Sequence, residues 1–172
     1  TRVQSRSKER RSRYLREVSE WKKKSPNRDS MGCSNLAHTY AACNNKHSSS
    51  DQSIKKLVGI ITAYNDMLSA HAPFETYPST LKEEGEKLNL HVQVAGGVPA
   101  MCDGITQGEP GMELSLFSRD TIALATAIGL SHNVFDSAIC MGTCDKIVPG
   151  LLIGALQFGH LPIVFMPGGP MS

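Results

Sequence analysis

The run VFDSAICMGTCDKIVPGLLIGALQFGHLPIVFM, residues 134–166, decides the fold. Residues 134–141 form an apolar run that reads as a buried strand. Residues 150–158 have the length and apolar content of a helix, with Pro149 opening it, and residues 161–166 are a second buried strand. Parallel strands cannot be joined by a hairpin and need a crossover, normally a helix, so strand–helix–strand predicts a parallel sheet. Between the first strand and its helix lies MGTCDKIVPG, residues 141–150. There Cys144, Asp145 and Lys146 place a soft-metal ligand, a hard-metal ligand and an amine in one tight turn.

The same alternation extends upstream. Residues 57–63 read as a buried strand and 74–88 as a helix with Pro73 in its first turn. Residues 90–95 read as a short strand ended by Gly96 and Gly97, and 119–130 as a helix with Ser118 as its cap and Gly129 near its end. The expected fold is α/β, a mostly parallel sheet with helices on both faces. In such sheets ligands bind beyond the carboxyl ends of the strands. The residues just past the four expected strands are Asn65, Asp66 and Met67; Cys102, Asp103 and Gly104; Cys144, Asp145 and Lys146; and Gly168 and Gly169. Topology would thus gather thiol and polar groups at one edge.

Residues 1–28 carry eleven Lys or Arg and three Glu, a charge of +8 that leaves the rest of the 172-residue chain at −6. Tyr14, Leu15, Val18 and Trp21 fall on one stripe of a helix with the charges opposite. This arm, residues 1–30, is expected to dock on the chain itself or on a partner subunit. Nucleic acid is disfavoured, because no aromatic-interleaved basic patch follows. Residues 32–43 have helical spacing, with Ser34 as candidate N-cap, and 46–56 read as a solvated loop.

Hydrophobic residues make up 40% and charged residues 20%, which argues against disorder throughout. The longest apolar runs, such as LVGII and LPIVFM, fall far short of the roughly 20 residues of a membrane span. The basic start shows no apolar leader, and five cysteines without a CxxC pair suit a reducing cytoplasm. Starting at Thr1 and stopping at GGPMS just after an apolar run, the chain is expected to be a fragment, with residues 31–172 a partial α/β domain.

Cys144 sits beside two charged residues, where a structural thiol would have apolar neighbours. It reads as a metal or cluster ligand, an inert thiol or a nucleophile, and a nearby helix start would favour its thiolate. Asp103 and Asp145 each follow a cysteine at a strand end; each is a hard-cation ligand or a turn cap. Lys146 is an anion partner, a Schiff-base lysine or a surface residue. Cys140, inside a strand, reads as core, and Cys33 and Cys43 as core or inert. His71 is the one histidine retained as a site candidate, since no HExxH or HxH pattern supports zinc hydrolysis. The glycines of residues 96–111 form neither GxGxxG nor a P-loop and read as a loop permitting close backbone approach. Ser115, Ser118 and Arg119 at the next helix start are phosphate-site candidates or simple caps.

Beyond these readings, the runs TAYNDMLSAHAPFETYP, QVAGGVPAMCDGITQGEPGMELSLFSRD, GLSHNVFD and CDKIVPGLLIGALQFGHLP resemble the dehydratase family of dihydroxy-acid and sugar-acid dehydratases, its phosphogluconate branch most closely. The resemblance covers essentially the whole chain. It implies an iron–sulfur hydro-lyase, converting 6-phospho-D-gluconate to 2-dehydro-3-deoxy-6-phospho-D-gluconate. It implies Cys144 as a cluster ligand, Asp103 and Asp145 as Mg²⁺ (or Mn²⁺) ligands, and Lys146 as a lysine that can be carbamylated to complete that site. Where relatives of the dihydroxy-acid type carry another cluster cysteine, Ala70 stands here beside His71, which fits a 4Fe-4S cluster. His71 and Lys146 are the catalytic candidates; Asn65, Asp66, Ser115, Ser118 and Arg119 are the substrate-binding ones. A further cluster cysteine, a metal-binding glutamate and a serine base would lie beyond position 172, so the isolated chain is expected to be inactive. A homodimer is expected because relatives form one. The alternatives are a dehydratase of an unphosphorylated acid and a non-catalytic remnant.

Overall fold

The computed structural model describes residues 1–25, 27–42 and 56–168. Four strands, β1 (Lys56–Thr62), β2 (Leu90–Gly97), β3 (Ser137–Met141) and β4 (Ile163–Met166), form one sheet in the order β2-β1-β3-β4. Every neighbouring pair is parallel, as the alternating pattern predicts. The central strand β1, KLVGIIT, is buried from Leu57 to Ile61 because both of its faces are covered.

Helix α3 (Tyr77–Lys87) covers one face, where Phe74, Tyr77 and Leu81 pack on Val58, Ile60, Val92 and Met141. Helices α5 (Ser115–Leu130) and α6 (Ile147–Leu156) cover the other, where Ile122, Leu130, Ile147 and Leu151 pack on Ile61, Ala63, Ala138 and Cys140. The two helices cross closely at glycine. A Cβ on Gly150 would lie 2.8 Å from the Arg119 carbonyl oxygen, and one on Gly154 would lie 2.7 Å from that of Ala123. Cys140 is core, and burial pushes its thiol up to about 12.

Several boundaries differ from the sequence expectation, each for a local reason. The helix expected over 74–88 is a 3₁₀ turn, Ala72–Glu75, followed by α3 from Tyr77. Pro78 has no N–H to offer the Phe74 carbonyl, so the α-helix restarts where proline falls in a first turn. Strand β2 runs on through both glycines. Its register shifts so that Ile60 pairs with Val94 and Ile61 with Gly96, leaving Ala95 as a bulge. Strand β3 starts at Ser137, three residues late, because Val134 and Phe135 belong to a separate cluster with Leu57. Helix α6 starts at Ile147, three residues early, and Pro149 lies within its first turn.

Ser118 is not a cap. A 3₁₀ turn, Pro110–Leu114, leads straight into α5, and the Ser118 hydroxyl donates to the Ser115 carbonyl at 2.6 Å. Helix α2 (Cys33–Ala41) is capped by Gly32 without a side-chain bond, so Ser34 is not its cap, and Cys33 is exposed and not core. Cys43, residues 46–55 of the expected loop, and Gly169 onward lie outside the described residues.

The basic arm is helix α1 (Arg2–Lys24), opened by a capping box between Thr1 and Gln4. It docks on the chain's own surface. The Tyr14 hydroxyl donates to the Leu156 carbonyl at 2.9 Å, and Trp21 stacks on His160 with ring centroids 5.9 Å apart. The chain then turns through Arg28, which is buried and paired to Asp136 at 2.9 Å while donating to the Val134 carbonyl. Asp136 also accepts the Leu57 amide N–H at 2.8 Å, fixing the start of β1. Burial, the largest single influence on Asp136, pushes its pKa up. Arg28, the Leu57 N–H and Lys56 together outweigh it and hold the carboxyl below its ordinary value.

The strand order places a topological switch point between β1 and β3, since the chain moves from β1 outward to β2 and then back across to β3. The crevice expected for a ligand is at the carboxyl ends of these two strands.

Candidate metal centre

Past β3 the chain makes the turn that carries Cys144, Asp145 and Lys146. Lys146 is the N-cap residue of α6, and the Cys144 carbonyl accepts the Val148 N–H at 3.3 Å. Cys144 has a φ of 74°, the left-handed region that strains any residue with a Cβ. Such strain persists only where the surroundings impose it, and it often marks a functional side chain. Here it turns the thiol outward, and Cys144 is exposed while Gly142 just before it is buried.

The connection after β2 brings the partners. Helix α4 (Asp103–Thr106) begins with Asp103, and Cys102 is its N-cap residue. The Lys146 ammonium donates to Asp103 and, at 2.7 Å, to Asp145. The Ser115 hydroxyl donates to Asp103 Oδ1 at 2.8 Å and fixes the carboxylate from the other side. The bonds from Lys146 and Ser115 hold Asp103 below its ordinary pKa, and the bonds to Asp103 and Asp145 hold Lys146 above its own. Lys146 is therefore a fixed cation between two carboxylates, with no free amine for Schiff-base chemistry in this state.

His71, after β1, is completely buried, and neither ring nitrogen has a hydrogen-bond partner of good geometry. Burial lowers its pKa, a backbone group of Thr143 acting in the opposite direction. The imidazole thus faces the residue before Cys144 across the β1–β3 switch point. Partial burial is also the largest cause of a raised pKa at the Cys144 thiol, followed by Cys102, Asp145 and Asp103. A thiol so placed makes a poor free nucleophile, and its thiolate needs a cation beside it.

The remaining candidates sit apart from this cluster. Asn65 caps its own turn, accepting the Met67 N–H at 3.0 Å, and Asp66 is exposed. Arg119 pairs with its neighbour Asp120 at 3.1 Å on the outer side of α5. Cys102 is the group whose place beside Cys144 the sequence reading left unassigned, although the repeated Cys-Asp pair signalled it.

Two metal types can be tested against these donors. Lys146 stands where a cation is already accepted by two carboxylates, which fits a hard divalent ion. Exposed Cys144, half-buried Cys102 and the unpartnered imidazole of His71 fit iron–sulfur chemistry. Among the described residues no three His, Cys, Asp or Glu side chains already form a complete metal site, so these donors are partial sets.

The fold and these groups define a parallel α/β domain with metal-type donors at its switch point. The chain belongs to the family described as "Dihydroxy-acid/6-phosphogluconate dehydratase N-terminal", which matches residues 55–172. It is 58% identical over 174 residues to a phosphogluconate dehydratase of Pseudomonas aeruginosa and 54% identical over 172 residues to that of Escherichia coli K12. Each match covers 99% of this chain and 28% of the relative. A dihydroxy-acid dehydratase of Akkermansia muciniphila is 37% identical over 118 residues, covering 69% of this chain and 21% of the relative. The chain thus spans little more than a quarter of the length of the two phosphogluconate dehydratases and about a fifth of the dihydroxy-acid dehydratase.

Proposed function

We propose that this chain is the part of a 6-phosphogluconate dehydratase that holds the divalent cation and anchors the iron–sulfur cluster. The observation that carries the reading is the Asp103–Lys146–Asp145 bridge beside Cys144 at the switch point. The phosphogluconate branch is favoured because its relatives match through residues 1–54, which the family description leaves out. The reaction removes water from 6-phospho-D-gluconate to give 2-dehydro-3-deoxy-6-phospho-D-gluconate. In this reading the full-length protein works as a homodimer in the cytoplasm, as the family resemblance implies. Among the described residues no helix is long and apolar enough to cross a membrane.

In this reading Asp103 and Asp145 hold Mg²⁺ or Mn²⁺, and Lys146, displaced or carbamylated, becomes part of that site. Ser115 keeps Asp103 oriented through its hydroxyl. Cys144 holds the 4Fe-4S cluster, its thiol losing a proton on ligation. When bound, the two groups supply a Lewis acid for the C3 hydroxyl and positive charge that acidifies the C2 proton. The N-terminus of α6 lies within two residues of Asp145, and its partial positive charge would favour an anionic group of the substrate there. His71, buried beside the Thr143 backbone, lies behind the turn that carries Cys144. Asn65, Asp66, Ser118 and Arg119 remain proposed substrate contacts at the rim of the crevice.

The test is anaerobic purification of the full-length protein, with iron, sulfide and turnover measured on 6-phosphogluconate and on gluconate. Cluster content with phosphate-dependent turnover is expected, and Cys144→Ser should abolish both. Equal rates on gluconate would move the assignment to an unphosphorylated acid. Turnover by residues 1–172 alone would overturn the expectation that this part is inactive by itself.

A further inference from the structure

Cys102 has a donor atom suited to iron but no role in the reading given under Proposed function. It lies past the carboxyl end of β2, half-buried, as the N-cap residue of α4, with no side-chain capping bond. Its thiol is free of any disulfide. Its neighbour Asp103 is tied through Lys146 to the turn that carries Cys144, which closes the gap between the loops after β2 and β3. Lys146 bridges Asp103, the residue after Cys102, and Asp145, the residue after Cys144, so the two Cys-Asp pairs meet at one ammonium. Strands β2 and β3 flank β1, so Cys102 and Cys144 reach the crevice from its two sides.

His71, in the loop after β1, is completely buried without a well-formed hydrogen bond at either nitrogen, its ring facing the Thr143 backbone one residue before Cys144. A buried imidazole without a hydrogen bond is uncommon, because the lost bonds to water cost free energy. A cluster held here would take both cysteines as thiolates, their protons leaving to solvent.

We propose that Cys102 is a second thiolate ligand of the iron–sulfur cluster anchored by Cys144, so that this part of the protein supplies two of the cluster's sulfur ligands. The inference rests on the cluster-binding reading given under Proposed function. Ligation from the loops after both β2 and β3 explains why neither Cys-Asp pair stands alone. Each pair gives its sulfur to the cluster and its carboxylate to the neighbouring cation. The two metal sites are then built from the same two loops.

The test uses the full-length protein purified anaerobically, with iron and sulfide per chain, visible absorbance and the electron paramagnetic resonance spectrum of the reduced form. Cys102→Ser and Cys144→Ser should both lose the cluster absorbance and iron, while Cys33→Ser, on exposed α2, keeps them. Alkylation of the unsubstituted protein, mapped by mass spectrometry, needs no variant to fold. Cys102 and Cys144 should be protected with the cluster loaded and modified once it is stripped by a chelator, and Cys33 should react in both states. Unsubstituted protein without iron and sulfide would overturn the cluster reading itself. A loaded protein in which Cys102 reacts as fast as after stripping, or a Cys102→Ser variant with full iron and an unchanged spectrum, would overturn the role of Cys102 alone.

Discussion

Replacing Cys144 by glycine is expected to leave the cluster-free protein more stable than replacing it by alanine, although both changes remove the thiol. At a φ of 74° a Cβ crowds the following carbonyl, which costs a non-glycine residue about 1–2 kcal/mol. Alanine retains that strain in full. Glycine escapes it but brings roughly 0.5–1 kcal/mol of additional unfolded-state entropy. Cys144 is exposed, so neither variant loses much burial. The balance favours glycine by about 0.5–1 kcal/mol, which for a chain of this size is a rise in melting temperature of about 1–4 °C. Calorimetry or urea denaturation of the two variants, stripped of metal, measures the difference directly. A glycine variant no more stable than the alanine variant would refute the left-handed backbone at 144. The argument that the turn is held strained to present its thiol would go with it.

Other consequences can be tested more briefly. Gly150→Ala places a methyl group 2.8 Å from the Arg119 carbonyl oxygen and from Ile122 Cβ. Overpacking of this kind costs about 1–3 kcal/mol, so the urea midpoint should fall despite alanine's better helix propensity; an unchanged midpoint would mean α5 and α6 are not in close contact. Asp136→Ala strands the buried Arg28 guanidinium and should cost about 3 kcal/mol. Because the folded-state pKa of Asp136 lies below its ordinary 3.8, its stabilisation is complete above about pH 4 and fades as pH falls through the folded value. Acid titrations of the native and substituted proteins that run parallel would contradict this. Burial lowers the pKa of His160, so protonation below its ordinary 6.5 opposes the packed state. Docking of α1 should therefore weaken as pH falls below that value, read as a change in fluorescence of Trp21, the chain's one tryptophan. His160→Phe should flatten that response, and a response that persists would place its origin elsewhere.

The fold was legible because the strands are covered on both faces. KLVGIIT can be read as a buried strand without knowing what covers it, and DKIVPGLLIG announces a turn running into a helix. The errors fell where one backbone donor decides the outcome, as at Pro78, or where a run of apolar residues ends by joining another cluster, as at Val134 and Phe135. For the candidate site, the sequence offered residues but not their contacts. Asp103 and Lys146 are 43 residues apart, and their bridge depends on how the chain crosses from β2 to β3. That His71 would be fully enclosed, and that Ser115 would bind a carboxylate where an anion-binding helix start was expected, both follow from packing alone.

The Arg28–Asp136–Leu57 knot lies at the amino end of the strands, and the proposed metal donors lie at the opposite end. Durability and chemistry are therefore written in separate parts of the molecule. Substitutions accumulating around Asp136 would be screened by survival of the fold, and those around Cys102 and Cys144 by the reaction. A lineage could then exchange one acid substrate for another at the carboxyl end without renegotiating how the sheet is fastened at its base.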